Sequence, residues 1–373
     1  MADSPQIVTR DAFAEVLGEA RQRVGRNDAA DSPLIRQIAE QLDDMARETA
    51  DGRTPDDEAC DRINLGTLAA RNLEESDPEL ADRLEELDYA YRRYPLLPDG
   101  PARRRRGILQ VWTGRESFRK LIFEPGAPRT VGSANADHVV HAEPDGGQHF
   151  QLVWDGLCAH VVASDPHRVT IGGASCWYGE MAHGGWMTAG TTSYRFHAED
   201  RTPPPEPPEP TPASQAALAR FAALRDAGRL YAVIDAARSE RALQLATESV
   251  DPHASLYDGE PGRALDDVAP YLVQLRRDSD LLGRLVAEGW GRGWGLYLES
   301  SAEFDAVRRH LRRFLMVELE GESRRVYFRF YDPRVMQTFA DAITPEQRAE
   351  LLQVVDAIHF EGDAGAVRTL ARA

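Results

Sequence analysis

The chain has 373 residues, 42% of them hydrophobic, which leaves room for two or three domains that each bury a core. Its formal net charge of −17 argues against nucleic acid or an anionic membrane as the main partner. The three cysteines (Cys60, Cys158 and Cys176) have no paired spacing, which favours a reducing compartment over a disulfide framework. The N-terminus, Met1 to Pro5, is polar and no apolar run is long enough to span a bilayer, so we expect a cytoplasmic protein.

Residues 1–100 are predicted to form an α-helical N-terminal region. Ser32 and Pro33 are suited to start one helix, and Asp77 followed by Pro78 is suited to start another, since Asp is a good N-cap and Pro fits the first helical position. One apolar face follows the second start, made by Leu80, Leu84, Leu87, Tyr91 and Tyr94. This face fits either a bundle that closes on itself or a groove for a partner helix.

Residues 105–198 are predicted to form an all-β region, a small sandwich, because short apolar runs are separated by Gly, Pro and Asp at regular intervals. The expected strands are 108–112, 118–123, 150–154, 160–162, 169–171 and 193–196. Residues 199–213 follow as a proline-rich linker. In the polyproline II conformation its central part would be a semi-rigid spacer of about 30–35 Å.

Residues 214–373 alternate helix and strand patterns and are predicted to form an α+β domain without a long run of parallel βαβ units. The expected strands are 230–234, 271–275 and 295–299, and the expected helices are 239–246, 279–288 and 302–313. A hairpin is expected from 314–319 and 325–331 around a turn at 320–323. Two closing helices are expected after Asp332-Pro333 and Thr344-Pro345.

Two segments of this last domain stand out. The glycine–tryptophan segment, Glu288 to Leu298, sets two tryptophans among four glycines, which is typical of a tightly packed turn. The arginine–aromatic segment, Phe328 to Val335, alternates aromatic residues with arginine and ends at Asp-Pro. Neither has the layout of a catalytic centre.

Together these segments resemble the effector-chaperone (adaptor) family of the bacterial type VI secretion system, over residues from about Leu230 to Val355. The resemblance implies a binding protein and not an enzyme. Such a protein stays in the cytoplasm of the producing cell, recognises an effector toxin and helps load it onto the valine–glycine repeat (VgrG) spike, often with a PAAR tip protein. The identity of the effector is not readable from the sequence.

Binding in such a protein would use apolar and aromatic anchors with an arginine rim. The residues that we expect to contact a partner are Trp290, Trp294, Tyr297, Arg329, Tyr331 and Arg334. The simpler alternative, that both tryptophans belong to the core, stays open at this point.

The β region resembles a forkhead-associated (FHA) domain, the fold that binds phosphothreonine peptides. The resemblance rests on Thr130 to Asp137 near its start and on Gly185 to Gly190 and Ser193 to Phe196 near its end. The family's phosphate site has an arginine directly after the first glycine, where this chain has Ser133. Because arginine is the strongest phosphate donor, the sequence predicts a degenerate scaffold that docks protein. A phosphothreonine-binding signalling adaptor is the first alternative function.

Metal or catalytic chemistry has weak support. The histidines and cysteines of the β region have scattered spacing, unlike the paired knuckles of structural zinc sites; they are His138, His141, His149, Cys158, His160, Cys176 and His183. Asp332 precedes a proline and is predicted to be a helix N-cap. We therefore expect no metal, cofactor or catalytic residue, and a metal-dependent hydrolase effector is the second alternative.

Overall fold

The computed structural model describes residues 7–26, 32–99, 105–112, 117–140, 147–204, 208–257, 265–318 and 325–372. The chain divides into two compact units. The first unit consists of Met1–Gly107 and Phe123–Gly185, and the second consists of Ile108–Ile122 and Trp186–Ala373. Across the described ranges, no helix is long and apolar enough to cross a membrane.

The first unit begins with helices, as the sequence predicts. They are α1 (Arg10–Gly25), α2 (Pro33–Glu48), α3 (Asp57–Arg62), α4 (Leu65–Asn72) and α5 (Pro78–Arg92). Asp77 caps α5, accepting a hydrogen bond from the Leu80 amide at 3.1 Å. The predicted apolar face of α5 is buried, and its residues join one core with side chains of α1, α2 and α4 and with Leu157. Neighbouring helices of the same unit therefore cover this face.

The first unit continues with seven short strands. They are β3 (Arg129–Gly132), β4 (His138–Val139), β5 (Gln148–Trp154), β6 (Ala159–Ala163), β7 (Val169–Ile171), β8 (Ala174–Ser175) and β9 (Tyr178–Met181). Five of them form a sheet in the order β4-β3-β5-β6-β9, and β7 pairs with β8 in an antiparallel hairpin.

The second unit contains the remaining strands of the β region. They are β1 (Gly107–Trp112), β2 (Ser117–Phe123), β10 (Trp186–Ala189) and β11 (Thr192–Ala198), adjacent in the order β2-β1-β11-β10. Each strand predicted between residues 108 and 196 is thus observed, so the β-rich character of this region is confirmed. Its arrangement as a sandwich and the predicted domain boundaries stay predictions.

The rest of the second unit is an α+β domain. Its helices are α6 (Pro212–Asp226), α7 (Glu240–Thr247), α8 (Leu281–Gly289), α9 (Phe304–Arg312), α10 (Pro333–Ala342) and α11 (Pro345–Leu351). Its strands are β12 (Leu230–Asp235), β13 (His253–Ser255), β14 (Pro270–Gln274), β15 (Gly295–Glu299), β16 (Met316–Glu318), β17 (Arg325–Tyr327), β18 (Ala357–Glu361) and β19 (Val367–Ala371). The predicted turn at 320–323 lies outside the described residues.

Six of these strands form one antiparallel sheet in the order β13-β14-β12-β15-β18-β19. The sheet has helices on both faces. Along β12, Leu230 and Ala232 contribute to a core with α6, α7 and α8, whereas Tyr231 and Val233 contribute to a core with α9, α10 and α11. This alternation is the two-residue period of a strand that is buried on both faces.

Three strands of this sheet were not expected from the sequence. β13 is only three residues long, and β18 and β19 follow the two helices that were predicted to close the domain. His359 lies inside β18, and Arg368 and Thr369 lie inside β19, so neither run reads as a continuous apolar strand. β18 pairs with β15 on one side and with β19 on the other, and this pairing stabilises strands that the local sequence does not favour.

Hydrogen bonds hold β2 to the α+β domain within the second unit. The Lys120 ammonium donates to the backbone carbonyls of Ala246, Ser249 and Asp251, at 2.7, 2.5 and 3.0 Å. Since these carbonyls lie at and just beyond the end of α7, the cation also faces the negative end of the helix dipole.

The predicted linker is anchored at both ends. Asp200 forms an ion pair with Arg284 at 2.7 Å, and the Thr202 hydroxyl donates to Glu248 at 2.7 Å. At the other end, Thr211 caps α6 through reciprocal hydrogen bonds with Ser214. Residues 205–207 of the predicted linker lie outside the described residues.

Candidate partner-binding surface

The two segments singled out by sequence meet at Asp235, the last residue of β12. Its amide donates to the Trp294 carbonyl at 2.8 Å, and its carboxylate accepts a short hydrogen bond from Arg329 Nη2. Asp235 is 1% exposed. A buried carboxylate needs a partner of opposite charge, so this contact fixes the arginine–aromatic segment beside the glycine–tryptophan segment.

The glycine–tryptophan segment packs inward and tightly. Trp294 is 9% exposed, and a Cβ on Gly289 would lie 2.5 Å from its ring. A Cβ on Gly295 would lie 1.9 Å from the Val233 carbonyl oxygen on the neighbouring strand. The glycines are therefore required by close approach, which agrees with the predicted tight turn.

The other two aromatic candidates join a cluster beneath α6. Tyr297 is buried and its ring stacks on Phe221 at 4.4 Å between centroids. Trp290 is half-buried, contacts Phe221 edge-on at 5.7 Å and donates its indole N–H to the Gly365 carbonyl at 2.8 Å. The structure thus places all three aromatic residues of this segment where they support the core, and only Trp290 keeps partial exposure.

The arginine–aromatic segment splits between core and surface. Tyr331 is 2% exposed, and its hydroxyl lies 2.9 Å from that of Tyr327. Burial raises the pKa of Tyr331 to about 12, so the phenol stays neutral. The side chains of Arg329 and Arg334 are 43% and 66% exposed.

Asp332 is a helix N-cap, as predicted. Its carboxylate accepts from the Arg334 amide at 3.0 Å at the start of α10, and from the Arg334 side chain at 3.0 Å (Nε) and 2.6 Å (Nη2). Burial raises the pKa of Asp332, but hydrogen bonds from Arg334 and the charge of Arg329 outweigh this effect and hold the pKa below its usual value. The carboxylate is therefore ionised and structural.

An apolar groove of about 820 Å³ opens beside this segment. One wall is the hairpin β16–β17, a two-stranded sheet of its own, where Met316 faces Tyr327 in register and both are 41% exposed. The other lining residues follow α9 and β17 or belong to α10 and α11; they include Phe314, Phe328, Phe339, Gln347 and Leu351. A second depression, lined in part by Arg334 and Val335, shares Phe339 with the groove. Exposed large apolar side chains around a groove are typical of a protein-binding surface.

Residues 230–350 match the family model of a domain of unknown function, DUF4123. This domain is found in type VI secretion effector adaptors. The match spans both segments, Asp235 and most of the groove, and it agrees with the range predicted from the sequence. Residues 8–93 match a second family model, Tsi6, which also points to type VI secretion. Comparison with curated proteins finds no match.

Solved structures of FHA domains align with part of the chain. The Rv0020c FHA structure is 22% identical over 27% of this chain and 98% of that chain, with a TM-score of 0.22. The FHA domain of the CT664 protein from Chlamydia trachomatis is 18% identical over 25% and 96%, with a TM-score of 0.23. Mycobacterium tuberculosis EmbR, in complex with a low affinity phosphopeptide, is 12% identical over 50% and 52%, with a TM-score of 0.23.

The loop that would hold phosphate in an FHA domain is poorly suited to an anion here. Ser133 is 6% exposed and its hydroxyl donates to the Gly147 carbonyl at 3.3 Å. The Asp137 carboxylate accepts from the Thr130 amide at 2.8 Å and hydroxyl at 2.9 Å, and these bonds lower the pKa of Asp137. The Asp137 carboxylate, which also pairs with Arg129 at 3.6 Å, therefore already uses the Thr130 donors of this loop, and an anion would have to compete with it for them.

A polar cluster in the first unit contains His160, one of the histidines considered for metal binding. His160 Nε2 donates to Asp155 at 2.7 Å, and its Nδ1 lies 2.8 Å from the Tyr178 hydroxyl. The hydrogen bond to Asp155 raises the pKa of His160. Burial raises the pKa of the nearby Cys158 thiol to about 11, so this cysteine is a poor nucleophile and ligand. Within the described ranges, no group of three or more His, Cys, Asp or Glu could hold a metal ion.

Sequence reasoning missed the groove and Asp235. It placed residues 314–331 in a hairpin but assigned no binding role to Met316, Tyr327 or Phe339. One signal for Asp235 was available: an aspartate that ends an entirely apolar strand is buried only when a cation compensates it. Nothing local indicated that the cation would be Arg329, 94 residues later.

Proposed function

We propose that this protein is a non-enzymatic cytoplasmic adaptor that binds a type VI secretion effector and helps load it onto a spike made of VgrG and PAAR proteins. The match of residues 230–350 to a domain of effector adaptors carries the proposal. Within that domain the apolar groove lined by Met316, Tyr327 and Phe339 is the surface that best fits cargo. Cargo binding there would bury large side chains that are exposed in the free protein.

The charge of the protein also fits this role. A net charge of −17 disfavours nucleic acid and keeps an adaptor soluble while it holds an apolar part of its cargo.

The hairpin of the groove is a second supporting feature. A two-stranded sheet is marginally stable alone, and here two kinds of contact hold it to its surroundings: Phe328 packs on Phe339, at 4.9 Å between ring centroids, and the Tyr327 hydroxyl lies 2.8 Å from that of Tyr257. Met316 of this hairpin is 41% exposed and can contact a partner.

The test is co-purification of the full-length protein from cells that express their secretion system, followed by mass spectrometry. Wild type is compared with Met316→Glu, which places a charge in the groove. Val162→Glu is the matched control, because Val162 is 47% exposed on β6 in the first unit. We expect effector and spike proteins with wild type and the control, and about tenfold less effector with Met316→Glu, since burying an unpaired charge costs more than 1 kcal/mol.

Two outcomes would contradict the proposal. If wild type recovers neither an effector nor a spike protein, the adaptor function is wrong. If it recovers phosphoproteins instead, and Ser133→Ala abolishes this, the β region is the functional centre and the protein is a signalling adaptor. Equal recovery with Met316→Glu and wild type would leave the adaptor function standing but place the cargo outside the groove.

A further inference from the structure

Exposed guanidinium groups lie above buried carboxylates at one end of the six-stranded sheet. Arg329 has a side chain that is 43% exposed, while that of its partner Asp235 is 1% exposed. Arg334 is 66% exposed, while its partner Asp332 is 6% exposed. The negative charges are thus hidden from solvent and the positive charges face it, so a partner meets the cations first.

A third arginine, Arg238, lies at the same end of the sheet. Arg238 follows the end of β12, is exposed, and its Nε donates to the Arg292 carbonyl in the glycine–tryptophan segment at 3.4 Å. The next residue of that segment, Gly293, donates its amide to the Glu361 carboxylate at 3.2 Å. The positive charge of Arg238 lowers the pKa of Glu361, although burial is the larger effect and raises it. Arg238 therefore lies within electrostatic range of the same cluster.

Ion pairs with buried aspartates hold Arg329 and Arg334 in place, and each arginine has further N–H groups that can donate. Arg334 uses Nε and Nη2 on Asp332, and Arg329 uses Nη2 on Asp235, so each keeps N–H groups beyond those bonds. A guanidinium that is already ordered loses less side-chain entropy when a ligand binds, and its planar fork fits a carboxylate. The buried aspartates therefore prepare the arginines for an anionic partner.

We propose that Arg238, Arg329 and Arg334 form a recognition surface for a short acidic segment of a partner protein. The inference rests on the proposed adaptor function and names the chemistry of its partner: a stretch of Asp or Glu side chains in the cargo. The net charge of −17 repels nucleic acid as a whole, but a local group of exposed arginines can still attract an acidic peptide.

The test uses two fluorescent peptides of equal length, one alternating glutamate with glycine and one alternating glutamine with glycine, and full-length protein in an anisotropy titration. We expect the glutamate peptide to bind wild type at least about tenfold more tightly than the glutamine peptide, and to weaken as salt is raised. The double variant Arg238→Gln/Arg334→Gln should lose about tenfold in affinity for the glutamate peptide.

Arg276 supplies the matched control. It forms the same two-point ion pair with the aspartate two residues away, Asp278, at 2.9 and 2.9 Å, and its side chain is 44% exposed. Arg276→Gln should leave peptide affinity within about twofold of wild type, because an exposed charge outside the proposed recognition surface contributes little to binding. Thermal unfolding of each variant establishes that the fold is kept.

Three results would overturn this inference. The first is equal binding of the glutamate and glutamine peptides. The second is an equal loss of affinity in Arg276→Gln and the double variant, which would indicate nonspecific attraction. The third is tighter binding of a single-stranded DNA of the same charge. Effector recovery separates the two proposals: if wild type and the double variant recover the effector equally, the acidic-segment inference is wrong while the adaptor function stands.

Discussion

The glycine–tryptophan segment and the arginine–aromatic segment have similar compositions but contribute differently to core and surface. Both combine large aromatic rings with arginine, and both contact Asp235. The first contributes mainly aromatic rings that enter the core, where Trp294 is 9% exposed. The second also buries Tyr331, but its two arginines pair with buried aspartates and stay exposed, Arg334 by 66%. Aromatic residues that suggest a binding surface in a sequence can thus serve the core, while arginines beside them reach the surface.

The largest effect should come from the first segment. Trp294→Ala removes a buried ring that packs against Gly289, and we expect a loss of about 3–5 kcal/mol in the free energy of unfolding. Urea unfolding measures it. Trp177 is 65% exposed, so Trp177→Ala is the control and should change stability by less than about 0.5 kcal/mol. Similar losses for both variants would contradict the burial difference.

The next effect concerns the link between the segments. Arg329→Ala leaves Asp235 buried without its cation, and we expect a loss of about 2–3 kcal/mol in the free energy of unfolding. Because the cost comes from an uncompensated charge, adding Asp235→Asn to that variant should recover part of the loss. If the double variant is instead less stable than Arg329→Ala, the ion pair is not what joins the segments.

The pH dependence of stability tests the core that the first segment enters. His359 pairs with Tyr297 across the sheet, and burial, with the charge of Arg220, lowers its pKa to about 4. As the pH falls, His359 therefore takes up a proton in the unfolded chain before it does so in the folded one. Its contribution to the free energy of unfolding is present above pH 6.5 and is lost as the pH falls toward 4. Between pH 6.5 and 5 the loss amounts to about 2 kcal/mol.

This pH dependence can be checked by variants. His359→Leu should be less sensitive to pH than wild type over that range, in urea unfolding at several pH values. His167 is exposed, so His167→Leu should keep the wild-type dependence. If the free energy of unfolding of His359→Leu depends on pH as steeply as that of wild type, groups other than His359 cause the pH dependence.

The smallest effect on stability should come from Arg334. Arg334→Ala removes two hydrogen bonds from the buried Asp332 carboxylate, which keeps the bond from the residue 334 amide and the nearby charge of Arg329. We therefore expect a loss of about 1 kcal/mol in the free energy of unfolding. The same variant should weaken binding of the glutamate peptide. A change in stability as large as that of Arg329→Ala would show that Arg334 serves the fold and would remove the contrast between the two segments.

Much of the fold was predictable because its signals are local. The Asp77-Pro78 start of α5, the strands from 108 to 196 and the Asp332 cap depend on neighbouring residues, and the structure confirms them. β18 and β19 were missed because their sequences mix polar and apolar residues. Their strand structure comes from the pairing of β18 with β15 on one side and with β19 on the other. The partner-binding role predicted for Trp290, Trp294 and Tyr297 remains a prediction, and their burial favours the core alternative.

The sequence by itself determined the order of most helices and strands, the β-rich centre and the resemblance to an adaptor domain from about residue 230 onward. Periodicity, capping residues and two unusual segments carry that information over short distances. Only the tertiary structure decided which side chains are exposed. The exposure of Trp290, Arg329 or Met316 depends on what packs against it from distant parts of the chain, such as Gly365, Asp235 and Phe339. Exposure depends on such long-range contacts, and a local pattern predicts it only for a regular face such as that of α5.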